Sequence, residues 1–314
     1  MLYKSWDEGM KVLISDDLED EGIELLKKSG LEVFSDFTIT HEKLLEVIPE
    51  FDALIVRSRT KVVKEIIEKG KKLKVIARAG VGLDNIDVKA ANERGIIVLN
   101  APEALTTAVA ELTLGLIICA WHRILRVNYA LKREGSVEKP KPKSLAGKTL
   151  GIIGLGRIGY NVAIKAIDAL GMKVIAYDPY ITPEKAEEIG VKMVTLEELL
   201  KSSDVISIHV PLTDETKGLI GENELKLMKK DALIVNTSRG GIIAERALFS
   251  ALLSNKIAGA ALDVFEKEPP SDLKLCVMPN VVCTPHIGAQ TKEAQIEVST
   301  AVAKKVVEAL GLKE

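Results

Sequence analysis

The sequence predicts an α/β protein of two domains, each a mostly parallel sheet flanked by helices. Three observations predict it. Short apolar strand-like runs alternate with helical periods over residues 11–100, and the alternation resumes at Lys148. The stretch from Lys148 to Asp178 reads as strand, tight turn, helix, strand. At 314 residues, 47% hydrophobic and 28% charged, the chain is long enough to bury two cores.

In the first domain, residues 11–15, 31–34, 53–56, 75–78 and 96–99 read as strands. Residues 18–28, 41–48, a segment ending at Lys69, and 87–94 read as helices. Asp16 or Asp17 is placed to cap the first helix, and Gly30 lies just past its end. Thr40 opens the second, which should close before Pro49, and Gly70 stops the third. The strand ends deliver Arg57-Ser58-Arg59-Thr60, Ala79-Gly80-Val81-Gly82 and Asn100, and open parallel sheets gather their ligands at the carboxyl ends of the strands.

Residues 106–133 read as one long helix, apolar nearly all round at first, so it should be buried on several sides. It is expected to enter the second domain and help build a subunit interface. Residues 135–144, with two prolines and several lysines, read as a surface loop. Beyond Asp178, helices are expected from about Pro183, after the capping box Thr195-Leu196-Glu197-Glu198, and over 245–254. Strands are expected over 192–194, 204–210, 232–236, 257–262 and 281–283. A last amphipathic helix over 292–310 should return to the first domain, leaving no room for a further one.

Gly154, Gly156 and Gly159 fall at G-x-G-x-x-G spacing between an apolar strand and a helix marked by Ile158, Val162, Ala163, Ala166, Ile167 and Leu170. The first glycine allows a tight turn, the second lets a pyrophosphate approach the backbone, and the third lets helix and strand pack closely. The helix amides and dipole favour the phosphate charge. Asp178, nineteen residues past Gly159, can accept bonds from ribose hydroxyls and would repel a 2′-phosphate, which favours NAD over NADP. The glycine spacing alone is a weak signal and fits any βαβ turn; strand, helix and acid together make it a dinucleotide site.

A formal net charge of −2 gives no electrostatic reason to expect nucleic acid or an anionic membrane as partner. The first ten residues lack the apolar core of a signal peptide; Met10 offers an alternative start, with residues 1–9 as a loose extension. The longest apolar run, within residues 112–121, is too short to span a bilayer. Cys119, Cys276 and Cys283 suit reduced thiols in the cytoplasm, and the four histidines form no metal-ligand spacing.

Arg239, Glu268 and His286 follow strand ends late in the second domain. Hydride transfer needs a group to exchange the hydroxyl proton, and histidine titrates in the useful range. A carboxylate can orient that histidine, and a guanidinium can bind a carboxylate or polarise a carbonyl. Each residue also has a structural reading, as a packed histidine after a proline turn, an ion-paired arginine, or a surface acid before Pro269-Pro270. Arg57 and Arg59, beside the Gly80 loop, could hold an anionic substrate; the alternative is two solvated arginines at a helix start.

The motifs G-L-G-R-I-G, Y-D-P, H-V-P-L, N-T-S-R-G-G, D-V-F-E-K-E-P and T-P-H-I-G-A resemble those of the NAD-dependent D-2-hydroxyacid dehydrogenases, over nearly the whole chain from Lys11. The segments Arg57–Thr60, Arg78–Asn85 and Thr291–Gln295 are most similar to the branch whose substrate carries a phosphate. This resemblance implies a Rossmann NAD domain over 103–288, inserted into a flavodoxin-like substrate domain formed by 1–102 plus 289–314. It implies His286 as acid/base, Glu268 as its partner, and Arg239 on the substrate carboxylate and carbonyl. Cofactor contacts would come from Val81, Gly154, Gly156, Arg157, Ile158, Gly159, Asp178, His209, Val210, Pro211, Thr237, Ser238, Asp263 and Gly288. Substrate contacts would come from Arg57, Ser58, Ala79 and Gly80. It also implies a small 2-hydroxy acid as substrate and a homodimer through the NAD domain. Leu105 and Ala108 stand where many relatives carry Asn and Ser, so contacts there are not carried over. Open alternatives are a glyoxylate/hydroxypyruvate or D-lactate type of enzyme, and a non-catalytic NAD sensor.

Overall fold

The computed structural model describes residues 9–137 and 139–313. Most of the expected loose extension, residues 1–8, and Glu138 of the expected loop lie outside the described residues. Contacts divide the chain into two compact units, Met1–Leu105 with Gln290–Glu314, and Thr106–Ala289.

Unit 1 runs β1 (Lys11–Ile14), α1 (Asp20–Lys28), β2 (Glu32–Ser35), α2 (His41–Val47), a 3-10 turn (Ile48–Glu50), β3 (Ala53–Val56), α3 (Lys64–Lys69), β4 (Val75–Arg78), α4 (Val88–Glu93) and β5 (Ile97–Asn100). All five strands pair in parallel, in the order β2-β1-β3-β4-β5. Every residue of β3 is buried, as in a central strand covered on both faces. Strand order reverses between β1 and β3, which makes their carboxyl ends the topological switch point.

Unit 2 runs α5 (Thr106–Trp121), α6 (Ile124–Glu134), β6 (Thr149–Ile153), α7 (Arg157–Leu170), β7 (Lys173–Tyr177), α8 (Pro183–Glu187), β8 (Lys192–Met193), α9 (Leu196–Ser202), β9 (Val205–Ile208), α10 (Glu222–Leu227), β10 (Leu233–Asn236), α11 (Glu245–Leu253), β11 (Gly259–Leu262) and β12 (Val281–Cys283). Its seven parallel strands lie in the order β12-β11-β10-β9-β6-β7-β8, with the reversal between β6 and β9. Leu150, Ile152, Val162, Ala163 and Ala166 pack β6 on α7 in one core layer. Ile153, Ile206, Ile208, Ile234 and Leu248 belong to the other.

The structure corrects several local expectations. The helix expected over 106–133 is two helices bent by 59°. The His122 amide bonds to Ile118 O, the Arg123 amide turns back to Ala120 O, and Arg123 takes φ 56, which ends the ladder. Only α5 has buried side chains, Ala108, Val109, Ala110, Thr113, Leu116 and Ile117; α6 has none. Among the described residues, no single helix is long and apolar enough to cross a membrane. Helix α1 begins at Asp20 behind Glu19, whose side chain makes no capping bond, so neither Asp16 nor Asp17 is its cap. Thr195 accepts from the Glu198 amide (3.2 Å), but the Glu198 carboxylate reaches Lys192 instead of closing the capping box. Pro49 falls inside the 3-10 turn, and α10 has no counterpart in the expectations.

Helix α12 (Lys292–Ala309) belongs to unit 1, buries Val298, Ser299, Val302, Ala303, Val306 and Val307, and packs along α1 and against β4 and β5. The two helices approach closely at Gly22. A Cβ there would lie 2.7 Å from the Ser299 carbonyl oxygen, and Ser299 Oγ accepts from the Glu19 amide at 3.1 Å. Gly22→Ala gains about 0.5–1 kcal/mol of helix propensity. The clash is with backbone, which cannot swing away, and overpacking of this kind costs about 1–3 kcal/mol. The variant is therefore expected to be net destabilised in urea unfolding; equal or greater stability would show that the two helices move apart freely.

Candidate active site and nucleotide-binding loop

The loop after β6 has the geometry that a pyrophosphate requires. Gly154 takes φ 93, and a Cβ on it would lie 2.7 Å from Val210 Cγ1 and 2.8 Å from the His209 carbonyl. At Gly159 a Cβ would fall 2.1 Å from the Gly154 carbonyl, so α7 can meet the turn only through glycine. At Gly156 nothing lies within 4 Å of that position. Gly156 caps α7 without a side-chain bond, leaving the first-turn amides at Arg157 and Ile158 aimed at an exposed face. Asp178, just past β7, is tied to the same loop: Oδ2 accepts from the Leu155 amide and Oδ1 from the Tyr180 amide, both at 2.9 Å. These residues fit a dinucleotide.

His209 and Val210 follow β9, and Pro211 follows them at the surface. The His209 ring bonds through Nε2 to the Ser207 hydroxyl at 2.8 Å, while Nδ1 is buried without a partner. Burial pushes this imidazole down to about 3.

Arg239, Glu268 and His286 all belong to unit 2. His286 Nδ1 lies 2.6 Å from Glu268 Oε2, and Glu268 Oε1 accepts from the Phe265 amide at 3.2 Å. Burial alone would raise the Glu268 carboxyl. The hydrogen bond and charge of His286, the Phe265 amide and the Arg239 guanidinium outweigh it and hold Glu268 below the usual carboxylate value. An ionised Glu268 accepts a proton bond, so Nδ1 carries the hydrogen and Nε2 is left to exchange a proton.

His286 takes φ 56, a conformation that costs a non-glycine residue about 1–3 kcal/mol. Asp263, nearly fully buried, holds the turn that carries it. The carboxylate accepts from Thr284 Oγ1 (2.6 Å), the Ile287 amide (2.8 Å) and the Gly288 amide (2.9 Å). The family resemblance implies Asp263 and Gly288 as cofactor contacts; what the structure shows is that they form the seat of His286.

Thr237 Oγ1 lies 2.8 Å from Thr113 Oγ1 of α5, in the core. Asn236, missed by sequence reasoning, accepts from the Ser238 amide (3.0 Å) and hydroxyl (2.8 Å) through Oδ1 and donates to Arg239 O (2.8 Å). An Asn two residues before a Ser at a strand end was the available signal, since it is an Asx-turn pattern. The Arg239 guanidinium donates to Ser238 O at 2.7 Å. At Gly240 a Cβ would lie 1.8 Å from Phe265 O, so the Arg239 turn and the Glu268 loop touch backbone to backbone.

In unit 1, Arg57 and Ser58 lie just past β3 at the switch point. Arg57 Nη1 makes a long contact of 3.5 Å to Asp17 O. The Arg59 guanidinium pairs with Asp16 at 3.0 Å and donates to Ile39 O and Ser15 O. The Ala79 amide donates to Val56 O (2.8 Å) and the Gly80 amide to Arg78 O (2.9 Å), so both hold the turn, and Val81 O accepts from Asn100 Nδ2. Asn85 donates to the carbonyls of both Arg57 and Thr60 at 2.7 Å, a brace that spacing did not reveal.

Residues 114–288 match the family described as D-isomer specific 2-hydroxyacid dehydrogenase, NAD binding domain. The chain belongs to that family. A D-3-phosphoglycerate dehydrogenase of Methanocaldococcus jannaschii is 51% identical over 303 residues, covering 96% of this chain and 57% of the relative. A hydroxypyruvate reductase of Thermotoga maritima is 49% identical over 308 residues, covering 96% of this chain and 99% of the relative. Among solved structures, D-lactate dehydrogenase from Aquifex aeolicus, complexed with NAD and lactic acid, is 32% identical with a TM-score of 0.85, covering 96% of this chain and 95% of that one. The chain thus spans little more than half the length of such curated phosphoglycerate dehydrogenases, 57% of the one from Methanocaldococcus jannaschii and of one from Archaeoglobus fulgidus. Unit 2 is the family's NAD-binding domain, and NAD is its cofactor.

The buried imidazole gives this unit a pH signature. His209 binds its proton near pH 3 when folded and near about 6.5 when unfolded. Its neutral form is therefore fully accommodated above the unfolded value, and stability falls as pH drops between the two. The slope from this one proton reaches about 1.4 kcal/mol per pH unit. His209→Gln is expected to lose that part of the slope in urea unfolding between about pH 7 and about pH 5; parallel profiles for the two proteins would show that the ring protonates freely in the folded state.

Proposed function

We propose that the chain oxidises D-3-phosphoglycerate to 3-phosphohydroxypyruvate with NAD, the first step of L-serine synthesis. The observation that carries the chemistry is the 2.6 Å contact between His286 Nδ1 and an ionised Glu268, with the Arg239 turn against the same loop. The substrate reading is supported by the relatives named D-3-phosphoglycerate dehydrogenase, at 51% and 48% identity, and by Arg57 at the switch point of unit 1.

In this reading bound NAD would supply the hydride acceptor for C2. His286 Nε2 takes the hydroxyl proton, and Glu268 stabilises the imidazolium that results. Arg239 binds the carboxylate and polarises the forming carbonyl with its planar fork. Arg57 and Ser58 take the phosphate, while Ala79 and Gly80 shape the neighbouring turn. The amides at Arg157 and Ile158 receive the pyrophosphate at Gly154, Gly156 and Gly159, and Asp178 receives the ribose. His209, Val210 and Pro211 would border the adenosine and Thr237 and Asp263 the nicotinamide, with Val81, Ser238 and Gly288 as further cofactor contacts. A second copy of the chain covers the exposed Ile124, Leu125, Tyr129 and Leu131 of α6, giving a homodimer through unit 2 in the cytoplasm. Sedimentation equilibrium reads that mass directly, and a monomer at working concentration refutes it.

A second reading is favoured by one observation: the hydroxypyruvate reductase from Thermotoga matches this chain over 99% of its own length. NADH absorbance decides between the two. The phosphoglycerate reading expects clear preference for 3-phosphohydroxypyruvate over hydroxypyruvate, glyoxylate and pyruvate in the reducing direction. Preference for hydroxypyruvate keeps the mechanism and replaces the substrate. His286→Ala should lower turnover by about 10²–10⁴-fold with NADH binding retained, and Asp178→Ala should relax the discrimination against NADP. No turnover with any acid, in protein that binds NADH, would turn the reading to an NAD sensor.

A further inference from the structure

We infer that Asp16 is the positioning residue of the substrate-binding loop Arg57–Thr60. The inference rests on the reading above that Arg57 and Ser58 contact the substrate, and it goes beyond it by naming what presents them.

Asp16 lies two residues past β1 and is buried, with 4% of its surface exposed. Oδ2 accepts from the Arg57 amide at 2.6 Å and from the Thr60 amide at 3.1 Å. Oδ1 accepts from Thr60 Oγ1 at 2.6 Å and pairs with Arg59 Nη2 at 3.0 Å. One carboxylate therefore binds both ends of the four-residue loop and two of its side chains, those of Arg59 and Thr60. Ser15 adds a hydroxyl donor to Thr60 Oγ1 at 3.1 Å. From the other side, the Arg57 carbonyl accepts from Asn85 Nδ2 at 2.7 Å and from Arg78 Nε at 3.3 Å. The backbone of Arg57 is thus fixed at both its amide and its carbonyl.

A buried carboxylate is costly unless donors surround it, and here the donors come from the loop itself. The charge and the loop conformation therefore require each other. Ser58 is exposed, and among the described residues the Arg57 guanidinium has the long contact to Asp17 O and no bond to Asp16. The division of labour within Arg57-Ser58-Arg59-Thr60 follows. Arg59 and Thr60 anchor the loop on Asp16, and Arg57 and Ser58 are free to reach a ligand at the switch point of the sheet. Asp16→Asn keeps the size and one acceptor but turns an NH2 group toward the donors, so the anchor loosens while the core beneath it is unchanged.

The test uses the full chain and steady-state reduction of 3-phosphohydroxypyruvate and hydroxypyruvate with NADH. Asp16→Asn is expected to raise KM for the phosphorylated acid by about tenfold or more, with kcat within about threefold. The preference for the phosphorylated acid should fall by a similar factor, and the NADH dissociation constant should stay within about twofold. A purely structural role would lower the active fraction, and with it kcat for both acids, without moving KM or the preference. Thr60→Val, which removes one donor and leaves the charge, should move KM in the same direction by less, and it decides the matter where Asp16→Asn fails to fold. Arg57→Ala separates the two readings. Raised KM in Arg57→Ala with unchanged KM in Asp16→Asn and Thr60→Val overturns the positioning role alone. Unchanged KM in Arg57→Ala overturns the assignment of the loop to substrate, and with it this inference. Where the native chain prefers hydroxypyruvate, KM for that acid is the quantity judged.

Discussion

A carboxylate accepting hydrogen bonds from loop amides is the interaction on which the functional end of each sheet depends. Asp16 collects the amides of Arg57 and Thr60, Asp178 those of Leu155 and Tyr180, and Asp263 those of Ile287 and Gly288. Each follows a strand. Parallel strands joined by helices leave their loops with donors that no ladder satisfies, and a short acidic side chain at the strand end supplies the acceptor. A hydrogen bond to a charged group contributes about 1.5–3 kcal/mol, more than a neutral one, so each pair of such bonds can hold an otherwise irregular loop. The amino ends use the same device, with Asp52 accepting from the Lys11 amide and Asp204 from the Thr149 amide.

The seat of His286 shows what this constraint makes possible. His286, a residue with a left-handed backbone, sits in a turn whose next two amides are held by the neighbouring Asp263 carboxylate. Orientation of the imidazole is then a separate matter, settled by Glu268, whose own loop is pressed against the Arg239 turn through Gly240. Backbone geometry and proton chemistry are thus assigned to different acids. The mutual dependence of Arg239, Glu268 and His286 is electrostatic as well: guanidinium and imidazole together keep Glu268 ionised despite its partial burial.

Much of this was legible in the sequence because it is local. Periodicity located the strands to within a residue or two, and β3, β4 and β12 to the residue. The glycine spacing located the α7 turn, and the strand-end motifs singled out Arg239, Glu268 and His286, of which the structure brings His286 against Glu268. What escaped depends on contacts that spacing does not encode. The break before α6 follows from one left-handed residue, Arg123, in a stretch with no proline or glycine to announce it. Asp16 looked like a helix cap because aspartate before an apolar period usually is one. Its actual partners lie more than forty residues further on, across the sheet. The Asp16 partner of Arg59 was hidden for the same reason. Asn85 and Asn236, too, act on carbonyls delivered by the fold.

The pairing of α1 with α12 has a consequence for how the chain matures. Helix α1 precedes every residue of unit 2 and α12 follows them all. On the ribosome, the apolar flank of the first helix emerges early and waits uncovered while the more than 260 residues between Lys28 and Lys292 are made. The inserted unit, whose strands are all continuous in sequence, can consolidate in that interval. The unit begun first is therefore completed last, and the exposed groove around Gly22 is the surface that a nascent-chain chaperone would meet in the meantime.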